Sequence, residues 1–373
     1  MTDPYDYSAT RRWVVKVGSS LITNIETGIN VDRIYGWAEQ IAELKRSGVE
    51  VVLVSSGSVM EGMKRLGWSE RPHEVHLLQV AAAVGQMGLV RTYEIAFEQH
   101  GYLTAQILLT NADLSDRARY LNTRNTIRTL LEKGIIPIVN ENDTVTTEDI
   151  KFGDNDNLAG LVTNIVDADL LVILTDQTGL YDADPRTNSN AKLISRAYPH
   201  DESLDRVVGP SSQFGRGGML AKLEAARKAA RSGAATFIAS GLVENQLQKI
   251  IANQAEGTLL LSRTGRIAAH KQWLAGRTRV AGKLHLDQGA VTALLDQGRS
   301  LLSVGVKQVE GKFRRGDLVV CLNADFREIA RGLINYDSEE ASQIKGHRTD
   351  RIESVLGYVR DHELIHRDNM VIM

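Results

Sequence analysis

Along the first two thirds of the chain, apolar residues fall into two alternating textures. Runs of aliphatic and β-branched residues at 13–17, 49–54, 103–109, 135–139, 170–174 and 236–239 are bounded by Gly, Ser, Asn or Asp. Short apolar runs between turn signals predict strands buried on both faces. Between them the period changes. Asn30 can cap a helix whose apolar positions Ile34, Trp37, Ala38, Ile41 and Leu44 recur at helical spacing, with Gly48 to close it. Further helices are expected over 79–99, over 121–133 ahead of Gly134, and over 220–231 ahead of Gly233. Strand, helix, strand of these lengths implies parallel crossovers. The fold class is therefore α/β, a three-layer αβα sandwich around a mainly parallel sheet.

The pattern changes after about Leu261. From Gly276 onward, short β-like runs at 300–309 and 318–322 are separated by Gly and Asp turns. We expect a domain over 1–265, a linker over 266–278 and a small β-rich domain over 279–373.

In an open parallel sheet, ligands bind beyond the carboxyl ends of the strands, so the residues just after each strand matter most. The first strand carries Lys16 and runs into Gly18-Ser19-Ser20; the second runs into Ser55-Ser56-Gly57-Ser58. A lysine in an apolar strand is costly unless its charge meets a partner. It can face a phosphate beside small-residue amides, or snorkel to solvent. The fourth strand opens on the stretch 140–158, which packs Asn140, Glu141, Asn142 and Asp143 and then Asp154, Asn155, Asp156 and Asn157 into under twenty residues. Such side chains form either Asx turns or a polar-ligand site. The helix over 79–99, with Gly85 and Gly88, suits close packing or a subunit contact. Gly215-Arg216-Gly217-Gly218 precedes the helix whose first turn holds Lys222. Free amides there favour an anion, although a solvated helical lysine is also common.

Composition narrows the class. The 373 residues are 43% hydrophobic and 24% charged with a formal net charge of -2, which fits a globular protein without a global basic bias towards nucleic acid or membrane. Residues 277–373 hold 15 Lys plus Arg against 14 Asp plus Glu, despite a local knot at Lys312, Arg314 and Arg315. RNA is thus an unfavoured partner. One cysteine, Cys321, cannot form an internal disulfide framework or a thiolate metal site, and a reducing cytoplasm fits it best. The first ten residues lack a basic-then-apolar progression, and no apolar run reaches the length of a membrane span. We therefore expect neither signal peptide nor membrane partner. No G-x-x-x-x-G-K-[ST] loop, G-x-G-x-x-G crossover or H-E-x-x-H helix is present either. If phosphate is handled, distributed Gly turns and two lysines must do it.

Six segments taken together resemble the motifs of the amino acid kinase family, in particular its glutamate-phosphorylating members. They are Val15-Lys16-Val17-Gly18-Ser19-Ser20, Val54-Ser55-Ser56-Gly57, Asn140-Glu141-Asn142-Asp143, Gly153-Asp154-Asn155-Asp156-Asn157-Leu158, Thr175-Asp176-Gln177 and Gly217-Gly218-Met219. The tail from about Arg279 resembles a PUA domain. The resemblance implies ATP-dependent phosphorylation of the γ-carboxylate of L-glutamate, the first step of proline biosynthesis. It implies Mg²⁺ held mainly by nucleotide oxygens and water, L-proline as feedback inhibitor, a homo-oligomer (dimer or tetramer) and glutamyl phosphate reductase as downstream partner. Carried over by position, Lys16 and Lys222 flank the transferring phosphoryl group and Asp156 orients both. Ser56, Asp143 and Asn155 bind glutamate, with Asp154 nearby. Thr175, Asp176 and the loop Arg216, Gly217, Gly218, Met219, Leu220, Ala221 and Lys222 hold the nucleotide.

One departure changes the picture locally. Where relatives resemble Gly-Thr-Gly-Gly-Met-x-Thr-Lys, this chain has Gly215-Arg216-Gly217-Gly218-Met219-Leu220-Ala221-Lys222. Two hydroxyls are missing and a guanidinium is added, so the nucleotide grip is expected to differ. The lysine pair is intact. Two other readings stay open: a relative acting on aspartate or a nucleoside monophosphate, and an RNA-binding regulatory protein.

Overall fold

The computed structural model describes residues 5–24, 28–145, 155–208, 218–263 and 280–373. The chain divides into two compact units, one of residues 1–112 and 124–266 and the other of residues 113–123 and 267–373. The expected linker 266–278 lies outside the described residues.

The first unit is built on an eight-stranded sheet. Its strands are β1 (Arg12–Val17), β2 (Glu50–Val54), β3 (Thr104–Leu109), β4 (Ile136–Glu141), β5 (Leu170–Thr175), β6 (Arg196–Ala197), β7 (Ala235–Ser240) and β8 (Thr258–Leu260). They lie in the order β3-β4-β2-β1-β5-β7-β8-β6, and all neighbours are parallel except β7 and β8. The expected α/β fold with a mainly parallel sheet is borne out. Strands β4, β5 and β7 are buried along their whole length, as uninterrupted apolar runs require. Strand β3, at the sheet edge, is half-buried or exposed at every position except Leu109.

The helices that position the functional loops are α1 (Val31–Arg46), α2 (Ser58–Leu66), α3 (Val75–Glu98), α4 (Asn155–Ile165) and α5 (Met219–Ala230). Asn30 caps α1 as expected, its side chain accepting the Arg33 amide at 3.1 Å. Ile34, Trp37, Ala38, Ile41 and Leu44 go into a core shared with Trp13, Val15 and Leu53. The α2–α3 contact depends on absent side chains. A Cβ on Gly62 would lie 1.7 Å from the Ala81 carbonyl oxygen, and one on Gly85 would lie 1.8 Å from that of Ser58. The two backbones touch, and this pins the start of α2 directly after the Ser55–Ser56 loop.

The second unit holds a five-stranded sheet of β9 (Gly282–Leu286), β10 (Val306–Gly311), β11 (Leu318–Leu322), β12 (Glu328–Leu333) and β13 (Met370–Ile372), in the order β10-β9-β11-β12-β13. Its core includes Leu284, Val319, Cys321, Ile334 and Tyr336. Burial pushes the Cys321 thiol up to about 12, so it stays protonated and inert at neutral pH. The run expected as a strand from Ser300 is broken: Leu301 makes an isolated antiparallel bridge to Ile365, Ser303–Gly305 form a 3₁₀ turn with the Ser303 hydroxyl donating to the His347 carbonyl at 2.8 Å, and strand β10 begins at Val306. Leu121 is buried with Leu318, Leu333 and Val371, which the sequence pattern did not reveal. Nor is the basic knot a bare patch: Arg315 pairs with Asp361 at 2.9 Å. Among the described residues no helix is long and apolar enough to cross a membrane.

Gly85→Ala should destabilise the protein by about 2 kcal/mol or more, because the new methyl meets backbone that cannot retreat. Gly36→Ala, in the interior of α1 with nothing within 4 Å of the added carbon, should stabilise it by ~0.5–1 kcal/mol. Urea midpoints of the two variants would check this, and equal midpoints would contradict it.

Candidate active site

Register places the chemistry on one edge. Lys16 of β1 sits beside Val54 of β2 and Ile173 of β5, and Val54 sits beside Val139 of β4. All four strands are parallel, so the loops after Val17, Val54 and Thr175 and the end of β4 at Asn140 open at the same side. Gly18 follows Lys16 and Val17, its amide donating to the Leu174 carbonyl at 3.0 Å, and a Cβ there would come within 3.2 Å of that oxygen. Gly57 turns the second loop at φ 99°, a left-handed conformation that glycine adopts at no steric cost. Any side chain at Gly57 would meet Thr23 at 2.7 Å.

At the centre stands Asp156, in the first turn of α4 and fully buried. The Lys16 ammonium pairs with its Oδ1, and the Lys222 ammonium donates to its Oδ2 at 3.0 Å. Both lysines are only 6% exposed. Burial opposes the charge on Asp156, but the Lys16 and Lys222 ammoniums outweigh it and hold the carboxyl below its ordinary value. The N-terminus of α4 favours the same anion. Lys222 occupies the first turn of α5, the wrong helix end for a cation on dipole grounds. Its position is explained by its partner.

Helix packing brings the three together. A Cβ on Gly160 of α4 would lie 2.6 Å from the Ala225 carbonyl oxygen of α5, and Lys228 reaches from α5 to Asn157 at 2.6 Å. Three separate elements thus deliver two cations to one carboxylate. The triad carries two positive charges against one negative, so it can attract an anion.

A pocket of polar side chains adjoins this triad. Asn155, next to Asp156, donates through Nδ2 to the Ser55 carbonyl at 2.5 Å, to Asn140 Oδ1 at 2.7 Å and to Ser56 Oγ at 3.2 Å. Ser58 Oγ donates to Asp143 at 3.1 Å. Ser56, Asn155 and Asp143 therefore share one neighbourhood. Of these only Asp143 is partly exposed, so its carboxylate can meet a cation arriving from solvent. Thr175 ends β5, with its hydroxyl donating to the exposed Asp176 at 3.0 Å. Gly218 caps α5, and Met219, Leu220 and Ala221 form its first turn beside Lys222. Asp154, Arg216 and Gly217 lie outside the described residues.

Two buried contributors, Gln86 and Tyr93, are not evident as site residues from the sequence. Asn140 is visible there only as part of its motif. Gln86 donates nothing to a described partner but accepts from Asn140 at 2.8 Å, and Tyr93 meets the Ser55 hydroxyl at 3.1 Å. Gln86 and Tyr93 sit on α3, where helical spacing alone looks like packing. The one signal is a glutamine directly after Gly85 in an otherwise small and apolar stretch.

The family model described as "Amino acid kinase family" matches residues 11–240, and that described as "PUA domain" matches residues 282–356. The chain is 56% identical over 364 residues to "Glutamate 5-kinase" of Thioalkalivibrio sulfidiphilus, covering 97% of each chain. It is 55% identical over 365 residues to the protein of that name from Hahella chejuensis, covering 98% of this chain and 95% of the relative. It is 56% identical over 365 residues to that from Nitrosospira multiformis, covering 98% of each.

Asp156→Asn should cost ~3–5 kcal/mol of folding stability, because it removes the shared counter-charge from two buried ammoniums. Since the folded carboxyl lies below its ordinary value of 3.8, its contribution is fully present above that value and is lost as pH falls through the lower, folded one. The stability difference between wild type and variant, from urea unfolding, should be flat from about pH 5 to 8 and shrink only in stronger acid. A difference that shrinks near neutrality would contradict the assignment.

Proposed function

The chain belongs to the amino acid kinase family, and from that premise we propose that it transfers the γ-phosphoryl group of ATP to the γ-carboxylate of L-glutamate, giving glutamyl 5-phosphate for proline biosynthesis. The near-full-length identity to glutamate 5-kinases supports the activity. The observation that carries the mechanism is the convergence of Lys16 and Lys222 on the two oxygens of buried Asp156.

The acceptor decides what the protein must supply. A γ-carboxyl with a free pKa of about 4.3 is already ionised at neutral pH, so no general base is required. One of its oxygens attacks the γ-phosphorus, the bond from that phosphorus to the β,γ-bridging oxygen breaks, and ADP leaves with the electron pair. What remains difficult is bringing two anions together. Two like unit charges 4 Å apart repel by about 4 kcal/mol at an effective dielectric constant of 20. Lys16 and Lys222 offset that repulsion and meet the charge that spreads over the three transferring oxygens. Asp156 is committed to both ammoniums and serves to orient them rather than to take a proton.

Ser56, Asn155 and Asp143 bind the amino acid, with Asp154 nearby. Their carboxamide, hydroxyl and carboxylate groups offer acceptors to an ammonium and donors to a carboxylate. Thr175, Asp176 and the segment from Arg216 through Gly217, Gly218, Met219, Leu220 and Ala221 to Lys222 hold the nucleotide, the amides at the start of α5 facing phosphate. Among the described residues no three acidic, histidine or cysteine side chains gather into a metal cage. We infer that a Mg²⁺ would be held mainly by nucleotide oxygens and water, and would neutralise charge on the β- and γ-phosphates.

The wider reading includes feedback inhibition by L-proline, assembly as a dimer or tetramer, a cytoplasmic location, kinase chemistry confined to residues 1–265, and a glutamyl phosphate reductase that consumes the labile acyl phosphate. Assembly gains support from Val80 and Met87, which stand exposed on α3.

ADP release should be seen with L-glutamate and not with L-aspartate, whose carboxylate falls one methylene short. Turnover of aspartate alone would overturn the acceptor. Lys222→Ala should lower kcat by about 10²–10³ while changing KM for glutamate little, since its charge matters most as the phosphoryl group separates. Asp143→Ala should mainly raise KM for glutamate. The reverse pattern in steady-state kinetics would mean that the two roles are exchanged.

A further inference from the structure

The pocket beside Asp156 is ordered by a chain of carboxamides whose direction can be read without ambiguity. Asn140 Oδ1 accepts the backbone amide of Glu141 at 2.9 Å, and Asn155 Nδ2 donates to the backbone carbonyl of Ser55 at 2.5 Å. Backbone amides only donate and backbone carbonyls only accept. These two anchors decide every contact between them. Asn155 must present Nδ2 to Asn140 Oδ1, at 2.7 Å, and Asn140 must then present its own Nδ2 to Gln86. Gln86 answers with Oε1 at 2.8 Å. With both Nδ2 protons of Asn155 engaged by Ser55, Asn140 and Ser56, its Oδ1 is the end left for a donor.

Gln86 is 9% exposed on α3, and its Nε2 is buried with no hydrogen-bond partner among the described residues. A buried primary amide that uses one end and leaves the other unsatisfied is not explained by packing, for which methionine would serve without a desolvation cost. Its placement is also set by the backbone. Gly85, the preceding residue, lets α3 close onto Ser58, and so brings the next side chain to the end of β4.

We propose that Gln86 is a positioning residue of the acceptor site. Its Oε1 holds the Nδ2 end of the Asn140 carboxamide, and so keeps Asn140 Oδ1 in place on Asn155, whose own acceptor oxygen is then held in position for the ammonium of an amino-acid substrate. Without that oxygen, the Asn140 carboxamide loses the partner for its Nδ2. Asn140 then keeps its Oδ1 on the Glu141 amide but loses the contact that holds the far end of its carboxamide, and Asn155, which leans on Asn140 Oδ1, is held less firmly against an incoming ammonium. The inference rests on the amino-acid kinase reading of the pocket and adds to it the residue that holds the pocket's carboxamides in place.

The test compares Gln86→Met with Gln86→Glu. Methionine matches the length and bulk of glutamine but accepts no useful hydrogen bond; the glutamate side chain keeps an acceptor oxygen at the same reach. Steady-state ADP release is measured on wild type first, with a panel of glutamate, aspartate and other amino acids. The ratios are then read on whichever amino acid turns over, so a failure of glutamate as acceptor shows separately from a failure of Gln86. Gln86→Met should raise KM for the amino acid by about 10–100-fold, with KM for ATP within ~3-fold of wild type, and Gln86→Glu should keep the amino-acid KM within ~3-fold. If Gln86 only fills space, the order reverses: the methionine variant stays near wild type and the buried carboxyl of Gln86→Glu is the more damaging change. That order, or equal KM in all three proteins, would overturn the proposal. Thermal melts accompany the kinetics, and Gln86→Ala replaces the methionine variant should that one not fold.

Discussion

A buried carboxylate with an ammonium on each oxygen is the interaction on which this molecule turns. Alone in the interior, Asp156 would cost several kcal/mol, and so would either lysine. Each therefore requires the others, and they come from three elements: β1, the start of α4 and the start of α5. Once Asp156 binds both cations, α4 must lie against α5, as the missing side chain at Gly160 permits. The same contact that fixes those helices leaves the triad with a net positive charge at the mouth of the sheet. Stability and chemistry are here two readings of a single arrangement.

The rest of the site comes from parallel strands that end together. Because β4, β2, β1 and β5 run side by side in one direction, Asn140, Ser55, Lys16 and Thr175 are neighbours although they span most of the first unit in sequence. Glycine appears where two backbones or a turn demand it: at Gly57 in the serine loop and at Gly85 under it. These positions let polar groups gather in a small volume with most of their hydrogen bonds made among themselves. A site connected in this way suits a reaction catalysed by placement and charge rather than by proton transfer.

Much of this was legible in the sequence, and what was not has physical reasons. The short, largely apolar runs of β1, β2, β4 and β5 are what a strand buried on both faces must look like. Lys16 stood out because an apolar strand has no use for a lysine without a partner. Lys222 stood out because glycines precede its helix. Gln86 and Tyr93 were illegible, since a residue on a helix face reveals nothing of the loop it reaches until the helices are packed. The pairing of β8 antiparallel to β7, and the two-residue strand β6, rest on a few hydrogen bonds that leave no periodic trace. In the second unit the apolar run from Ser300 looked like continuous strand, but the turn at Ser303–Gly305 interrupts it and meets His347, more than forty positions away.

If Lys16 and Lys222 act on one phosphoryl group through one shared carboxylate, they work as a unit and not as two independent contributors. A double-mutant cycle on kcat measures this directly. Lys16→Ala and Lys222→Ala should each lose about 10²–10³ in kcat, and the double variant should lose little more than the worse of the two. Losses that multiply in the double variant, as for sites that do not interact, would contradict the account.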